Sequence, residues 1–182
     1  MARIVLITGG ARSGKSAHAL KLAALHTGRR FFLATAEALD DEMVARIARH
    51  KADRSPDLQT IEEPIDLESA IESLNNRADV LVLDCLTLWV SNMMRAHGVP
   101  GMGVIAQHEI GAFLIRARSF ANALRGARFD SIVVTDEVGA GIVPDNPASR
   151  QFRDLLGWTN QKLAEAADEV ILMVAGIPLR VK

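Results

Sequence analysis

Ile4-Val5-Leu6-Ile7-Thr8-Gly9-Gly10-Ala11-Arg12-Ser13-Gly14-Lys15-Ser16 is an apolar run that passes directly into a complete G-x-x-x-x-G-K-[ST] spacing, and a helix-forming stretch follows it. Strand, glycine-rich turn and helix in that order predict a phosphate-binding loop. In such a loop the backbone N–H groups converge on the α- and β-phosphates of a nucleotide, so Gly9, Gly10, Ala11, Arg12, Ser13 and Gly14 are candidate nucleotide contacts. Lys15 reaches the β- and γ-phosphates, and the Ser16 hydroxyl is a candidate Mg2+ ligand. The positive end of the following helix explains why an anion sits there.

Working outward from the loop, β-branched and aliphatic runs recur at Ile4 to Thr8, Phe31 to Thr35, Val80 to Asp84, Ile132 to Asp136 and Val170 to Ala175. Between them lie stretches with apolar residues three and four apart, such as Ala19-Leu20-Ala23-Ala24, Met43-Ile47, Leu67-Ala70-Ile71-Leu74 and Leu155-Leu156-Leu163-Ala166. This alternation predicts an α/β fold: a mostly parallel, doubly wound sheet with helices on both faces. The tail Leu179 to Lys182 is a candidate antiparallel edge strand. Gly98 to Gly103 and Gly139 to Pro147 read as loops. No repeat or linker divides the chain, so residues 1–182 are expected to form a single nucleotide-binding domain. In such a sheet a ligand lies beyond the C-terminal strand ends, which directs attention to Ala34-Thr35-Ala36-Glu37, Asp84-Cys85 and Asp136-Glu137.

Composition narrows the function classes. A net charge of −1, with 49% hydrophobic and 24% charged residues, gives no electrostatic case for nucleic acid. Anion binding must therefore be local. The single cysteine, Cys85, excludes an internal disulfide and a cysteine-based structural zinc site, and it favours a reducing cytoplasm. The N-terminus has no secretory pattern, and the longest apolar stretch, near Val170 to Ile177, is too short for a membrane span.

The wording Thr8 to Ser16, then Ala34-Thr35-Ala36, then Asp40-Asp41-Glu42-Met43 through Arg46-Ile47 to His50-Lys51, resembles the bifunctional adenosylcobinamide kinase/adenosylcobinamide-phosphate guanylyltransferases of cobalamin biosynthesis. The similarity continues through Asp84-Cys85-Leu86-Thr87, Thr135 to Pro144 and Asn160-Gln161-Lys162-Leu163-Ala164, so it covers nearly the whole chain. The resemblance implies a P-loop NTPase of RecA-like fold, assembled as a homotrimer. It also implies two reactions. ATP or GTP phosphorylates the aminopropanol hydroxyl of adenosylcobinamide. GTP then donates GMP to that phosphate through a guanylyl-histidine, releasing pyrophosphate.

His50 matches the guanylylated histidine of that family. Neutral imidazole has a free ring nitrogen able to attack phosphorus. Arg46, His50 and Arg54 recur every four residues, placing basic groups along one helix face with Lys51 beside them. Such a face can hold a triphosphate, or it can simply be solvated. The resemblance also implies nucleotide contacts at Ala34, Thr35, Ala36, Lys51, Ala52, Asp53, Arg54, Glu62 and Asp84. Asp84 ends Val80-Leu81-Val82-Leu83 as a magnesium-side carboxylate does. Asp136-Glu137 ends Ile132 to Thr135 in the same manner. We assign Asp84 to the metal and Glu137 to a secondary role near the hydroxyl, with a helix cap as the plain alternative. Glu62 is a candidate acceptor for guanine N–H groups, or else an exposed acid. The Asn-Lys-x-Asp guanine motif is absent, because Asn160-Gln161-Lys162 does not satisfy it. His18, His26, His97 and His108 lack metal spacing, while Trp89, Phe113 and Phe120 read as core or subunit contacts. Two other readings stay open: a single-activity kinase for another small alcohol, and a nucleotide-binding switch without small-molecule chemistry.

Overall fold

The computed structural model describes residues 2–52, 55–99 and 103–182, and of Glu42, Arg46 and His50 it describes the backbone alone. The strands are β1 (Ile4–Gly9), β2 (Arg30–Ala34), β3 (Leu58–Glu62), β4 (Val80–Asp84), β5 (Asp130–Val134), β6 (Glu169–Val174) and β7 (Ile177–Arg180). They form one sheet in the order β3-β2-β4-β5-β1-β6-β7. All neighbours pair parallel except β6 and β7, which form the expected antiparallel edge. The helices are α1 (Lys15–Ala24), α2 (Asp41–Ala52), α3 (Leu67–Leu74), α4 (Leu86–His97), α5 (Ile110–Gly126) and α6 (Pro147–Ala166).

Strand alternation sends successive side chains to opposite faces, and the two faces are covered unequally. Ile4, Leu6, Phe31, Leu33, Leu81, Leu83 and Val133 face a core built with α3, α4, α5 and α6. Val5, Ile7, Phe32, Val80, Val82, Ile132 and Val134 face Ala19 and Ala23 of α1. Trp89 is fully buried in the larger core, its indole N–H donating to the Ile65 carbonyl at 2.9 Å and its ring tilted against Phe113 and Phe120. These three residues are therefore core. Burying each such ring contributes roughly 1.5–3 kcal/mol.

Sequence periodicity missed β3. Only Leu58 of that strand is buried, because an edge strand needs few apolar residues. It also gave no separate signal for α4, whose buried face includes Asn92 and two methionines beside Trp89. Local chemistry explains several helix starts. Asp66 caps α3 by accepting from Ser69 N–H, and Asn146 caps α6 in the same way from Ser149, with Pro147 in the first turn. Gly14, at φ 96°, caps α1.

Parallel pairing fixes what lies beside what at the C-terminal edge. Ala34 of β2 registers with Glu62 of β3 on one side and with Asp84 of β4 on the other, and Asp84 registers with Val134 of β5. Adjacent strands lie about 4.8 Å apart, so two carboxylates separated by 22 positions in the sequence end in one row. Beside that row, Ile7 and Gly9 accept from Thr135 and Glu137, which carries the phosphate loop up to the β5 end.

Candidate active site

The phosphate loop is shaped by backbone demands that glycine alone meets. Gly9 sits at φ 148°, and a Cβ there would lie 2.5 Å from the Met173 carbonyl oxygen. The β6–β7 turn braces the loop from the other side, with Gly176 N–H donating to the Ser13 carbonyl at 2.9 Å. Because α1 begins at Lys15, its unpaired first-turn N–H groups open into the loop.

Lys15 is buried rather than extended into solvent. Its ammonium donates to the Gly10 carbonyl at 2.6 Å and pairs with Asp136 Oδ1 at 2.7 Å, leaving the side chain 9% exposed. Asp136 is itself held at both ends of its backbone. Its N–H donates to Thr87 Oγ1 at 2.9 Å, and its carbonyl accepts from Asn160 Nδ2 at 3.0 Å. The Asn160 carbonyl oxygen in turn accepts from the buried Thr135 hydroxyl at 2.7 Å. Glu137, which the sequence reading placed near the acceptor hydroxyl, instead accepts from the N–H of Gly139 at 2.6 Å. The carboxylate at the phosphate-loop lysine is Asp136.

A cavity of about 550 Å3 opens between the loop, the sheet edge and α2. Ser16 and Asp84 share it with Ala34, Ala36, Lys51 and Glu62, so these six of the sequence candidates are brought together. Thr35 is not among its walls. It is fully buried, its hydroxyl donating to the Cys85 carbonyl at 2.7 Å and accepting from the Cys85 N–H at 2.9 Å. Its carbonyl accepts from Asn92 Nδ2 at 2.7 Å, so Thr35 ties the ends of β2 and β4 and the flank of α4 together. Sequence reasoning made it a nucleotide contact, whereas its side chain is spent on positioning Ala34, Ala36 and Asp84.

Lys51 and Glu62 form an ion pair of 2.5 Å between α2 and β3, both about half exposed. Met43 and Ile47, read from sequence as helix packing, line the cavity with Phe32 and Leu88 and give it an apolar wall suited to a flat ring system. Position 50 lies in α2 between Ile47 and Lys51, and the His50 side chain lies outside the described residues. So do the side chain of Arg46 and all of Asp53 and Arg54. Ala52 closes the helix and is exposed. None of the described α2 side chains is buried. Described side chains that are all unburied give this helix few anchors among them, and such a segment opens at low cost.

Burial, reinforced by the charge of Asp84, pushes the Cys85 thiol up to about 12, so it stays protonated and is no nucleophile. Ser16 and Asp84 offer a hydroxyl and a carboxylate oxygen to one cavity, a hard donor pair that fits Mg2+. Among the described residues no cluster of three or more His, Cys, Asp or Glu is placed to hold a metal ion, so phosphate and water oxygens would complete such a site. Nor is any described helix long and apolar enough to cross a membrane.

A family model described as cobinamide kinase / cobinamide phosphate guanyltransferase matches residues 5–181. The chain is 38% identical over 181 residues to the bifunctional adenosylcobalamin biosynthesis protein CobU of Escherichia coli (strain K12), spanning 98% of this chain and 99% of that one. It is 40% identical over 184 residues to the protein of the same name from Salmonella typhimurium, with 98% and 99% covered. With CobP of Pseudomonas aeruginosa the identity is 37% over 177 residues, covering 97% and 96%. Among solved structures, an ATPase from the type III secretion system of pathogenic bacteria superposes with a TM-score of 0.53 at 13% identity, covering 93% of this chain and 50% of that one. That likeness concerns the fold alone.

Proposed function

The chain belongs to the cobinamide kinase / cobinamide phosphate guanyltransferase family, and from that premise we propose that one cavity serves two successive nucleotide reactions in cobalamin biosynthesis. In the first, adenosylcobinamide is phosphorylated by ATP or GTP. In the second, GMP passes from GTP to adenosylcobinamide phosphate, giving adenosylcobinamide-GDP and pyrophosphate. The observation that carries the reading is that Ser16 of the phosphate loop, Asp84 of β4 and the Met43, Ile47 and Lys51 side chains of α2, the helix that bears His50, line one space.

In the kinase step the side-arm hydroxyl oxygen bonds to the γ-phosphorus and the bond from that phosphorus to the β-bridging oxygen breaks. The nucleoside diphosphate leaves, and the hydroxyl proton is lost to a nearby carboxylate or water. Lys15 and the loop N–H groups offset the charge that develops. Ser16 and Asp84 would hold Mg2+, which when bound neutralises phosphate charge. In the transfer step the unprotonated ring nitrogen of His50 bonds to the α-phosphorus as the bond from that phosphorus to the oxygen bridging to the β-phosphate breaks, pyrophosphate leaves, and the other ring nitrogen keeps its N–H proton. A phosphate oxygen of the acceptor then attacks the same phosphorus, the P–N bond breaks, and imidazole is restored. Glu62 is suited to accept from guanine N–H groups once Lys51 turns toward phosphate. That no described side chain of α2 is buried supports a helix that swings His50 toward the α-phosphate. We also take the working form to be a cytoplasmic homotrimer. The exposed Ile142, Val143, Ile177 and Leu179 supply apolar surface for subunit contacts.

The test uses Mg2+ and GTP labelled at the α-phosphate. Wild type should retain an acid-labile, alkali-stable label, and His50→Ala should lose it while still moving γ-phosphate to adenosylcobinamide. An unlabelled wild type removes the transferase reading, and an adduct that survives His50→Ala moves the nucleophile elsewhere.

A further inference from the structure

Lys15 has already found an anion, and that anion is part of the protein. The ammonium that should grip β- and γ-phosphates lies 2.7 Å from Asp136 Oδ1 and 2.6 Å from the Gly10 carbonyl, with the side chain 9% exposed. Each contact occupies a donor of the ammonium that the loop motif assigns to phosphate. Asp136 cannot easily follow the lysine away, because Thr87 fixes its N–H and Asn160 fixes its carbonyl, with Thr135 locking the Asn160 amide. The strand end below it is equally fixed, Thr135 N–H donating to Ile7 at 2.9 Å and Glu137 N–H to Gly9 at 3.1 Å. A carboxylate carried on a fixed backbone therefore stands beside the lysine of a loop whose ligand carries several negative charges.

We propose that Asp136 is a positioning residue that stands in for the β/γ-phosphates: it occupies Lys15 whenever they are absent and lowers the grip of the loop on any ligand that bears them. The inference rests on the loop binding nucleotide phosphates as argued above. Binding a triphosphate must take Lys15 from Asp136 or make the lysine share its charge, and either route sets a carboxylate near a polyanion. The same repulsion acts on pyrophosphate, the leaving group of the transfer step. Asp136 thereby speeds clearance of the loop between two reactions that both need it empty. A nucleoside monophosphate has no β- or γ-phosphate and does not enter this competition.

The experiment measures binding of GTP, pyrophosphate and GMP, each with Mg2+, to wild type and to Asp136→Asn by titration calorimetry, with thermal melting to verify folding. Asn keeps the size of Asp and removes its charge. Two charges a few ångströms apart near a protein surface interact strongly enough for an expected gain of about tenfold for GTP and pyrophosphate. GMP binding should change less than about twofold, since the effect is confined to the Lys15 end. In steady state the variant should show a lower KM for GTP together with a lower kcat wherever product release limits turnover. Asp136→Ser, which also removes the charge, should reproduce the tightening. If GTP binds no tighter, or weaker, in both variants, Asp136 instead orients Lys15 for the phosphate and the proposal is overturned. Equal tightening of GMP also overturns it, because the effect would then be general charge. A wild-type chain that binds none of the three ligands overturns the nucleotide reading itself, a result distinct from either.

Discussion

Replacing Thr35 by Val removes one hydroxyl, keeps the shape of the side chain, and should loosen the site from beneath. In the native fold that hydroxyl donates to the Cys85 carbonyl at 2.7 Å and accepts from the Cys85 N–H at 2.9 Å, and Thr35 itself has no exposed surface. Valine leaves both backbone groups of Cys85 without that partner at a part-buried position on the cavity wall. Two neutral hydrogen bonds at about 1 kcal/mol each, with some further cost for the stranded Cys85 N–H, since its carbonyl still accepts from the Trp89 N–H at 3.3 Å, give a loss of about 2–3 kcal/mol. For a domain of this size that corresponds to a fall in Tm of about 4–12 °C. Urea unfolding followed by far-UV circular dichroism measures the first quantity and a thermal melt the second. The change should also reach the nucleotide, because Ala34, Ala36 and Asp84 line the cavity at the strand ends that Thr35 joins. GTP affinity should weaken several-fold. The reasoning is refuted if Thr35→Val unfolds within about 0.5 kcal/mol of wild type, the range expected of substitutions that touch no buried feature. A stability loss with unaltered GTP affinity would refute only the link from this clamp to the site.

Two further expectations follow from other parts of the structure. The Cys85 thiol is held protonated up to about 12, against an ordinary value of 9.0, so the unfolded chain releases this proton before the folded chain does. Its contribution to stability is fully present below pH 9.0 and is lost as pH rises toward 12. Denaturant unfolding between neutral and strongly alkaline pH should thus fall more steeply for wild type than for Cys85→Ala, and parallel curves would contradict the burial argument. Gly9→Ala places a methyl 2.5 Å from the Met173 carbonyl oxygen at a backbone φ of 148° that side chains rarely adopt. The cost should be about 1–3 kcal/mol of stability, with nucleotide binding abolished by titration calorimetry.

Much of the site was legible because its signals are local. The loop from Gly9 to Ser16 needs its glycines and its lysine at set spacings whatever surrounds it, and the apolar runs that became β1, β4 and β5 need no distant partner to be recognised. The carboxylates at the strand ends were equally visible as residues, as was a helical stretch over position 50. Relations between distant segments were not visible. Nothing near Thr35 in sequence says that its hydroxyl belongs to Cys85, fifty positions on. Nothing near Met43 and Ile47 says that their helical stripe walls a cavity instead of a core. The edge strand β3 lacked an apolar pattern because only one of its residues is buried. Asp136 and Glu137 are adjacent and chemically alike, so the sequence alone left their roles open. Tertiary structure separates them because a strand end aims successive side chains in different directions: Asp136 meets Lys15, and Glu137 turns to its own loop. By itself the sequence determined that a phosphate-binding loop would open a parallel sheet. The packing of β5 beside β1 decided which carboxylate would face the lysine of that loop.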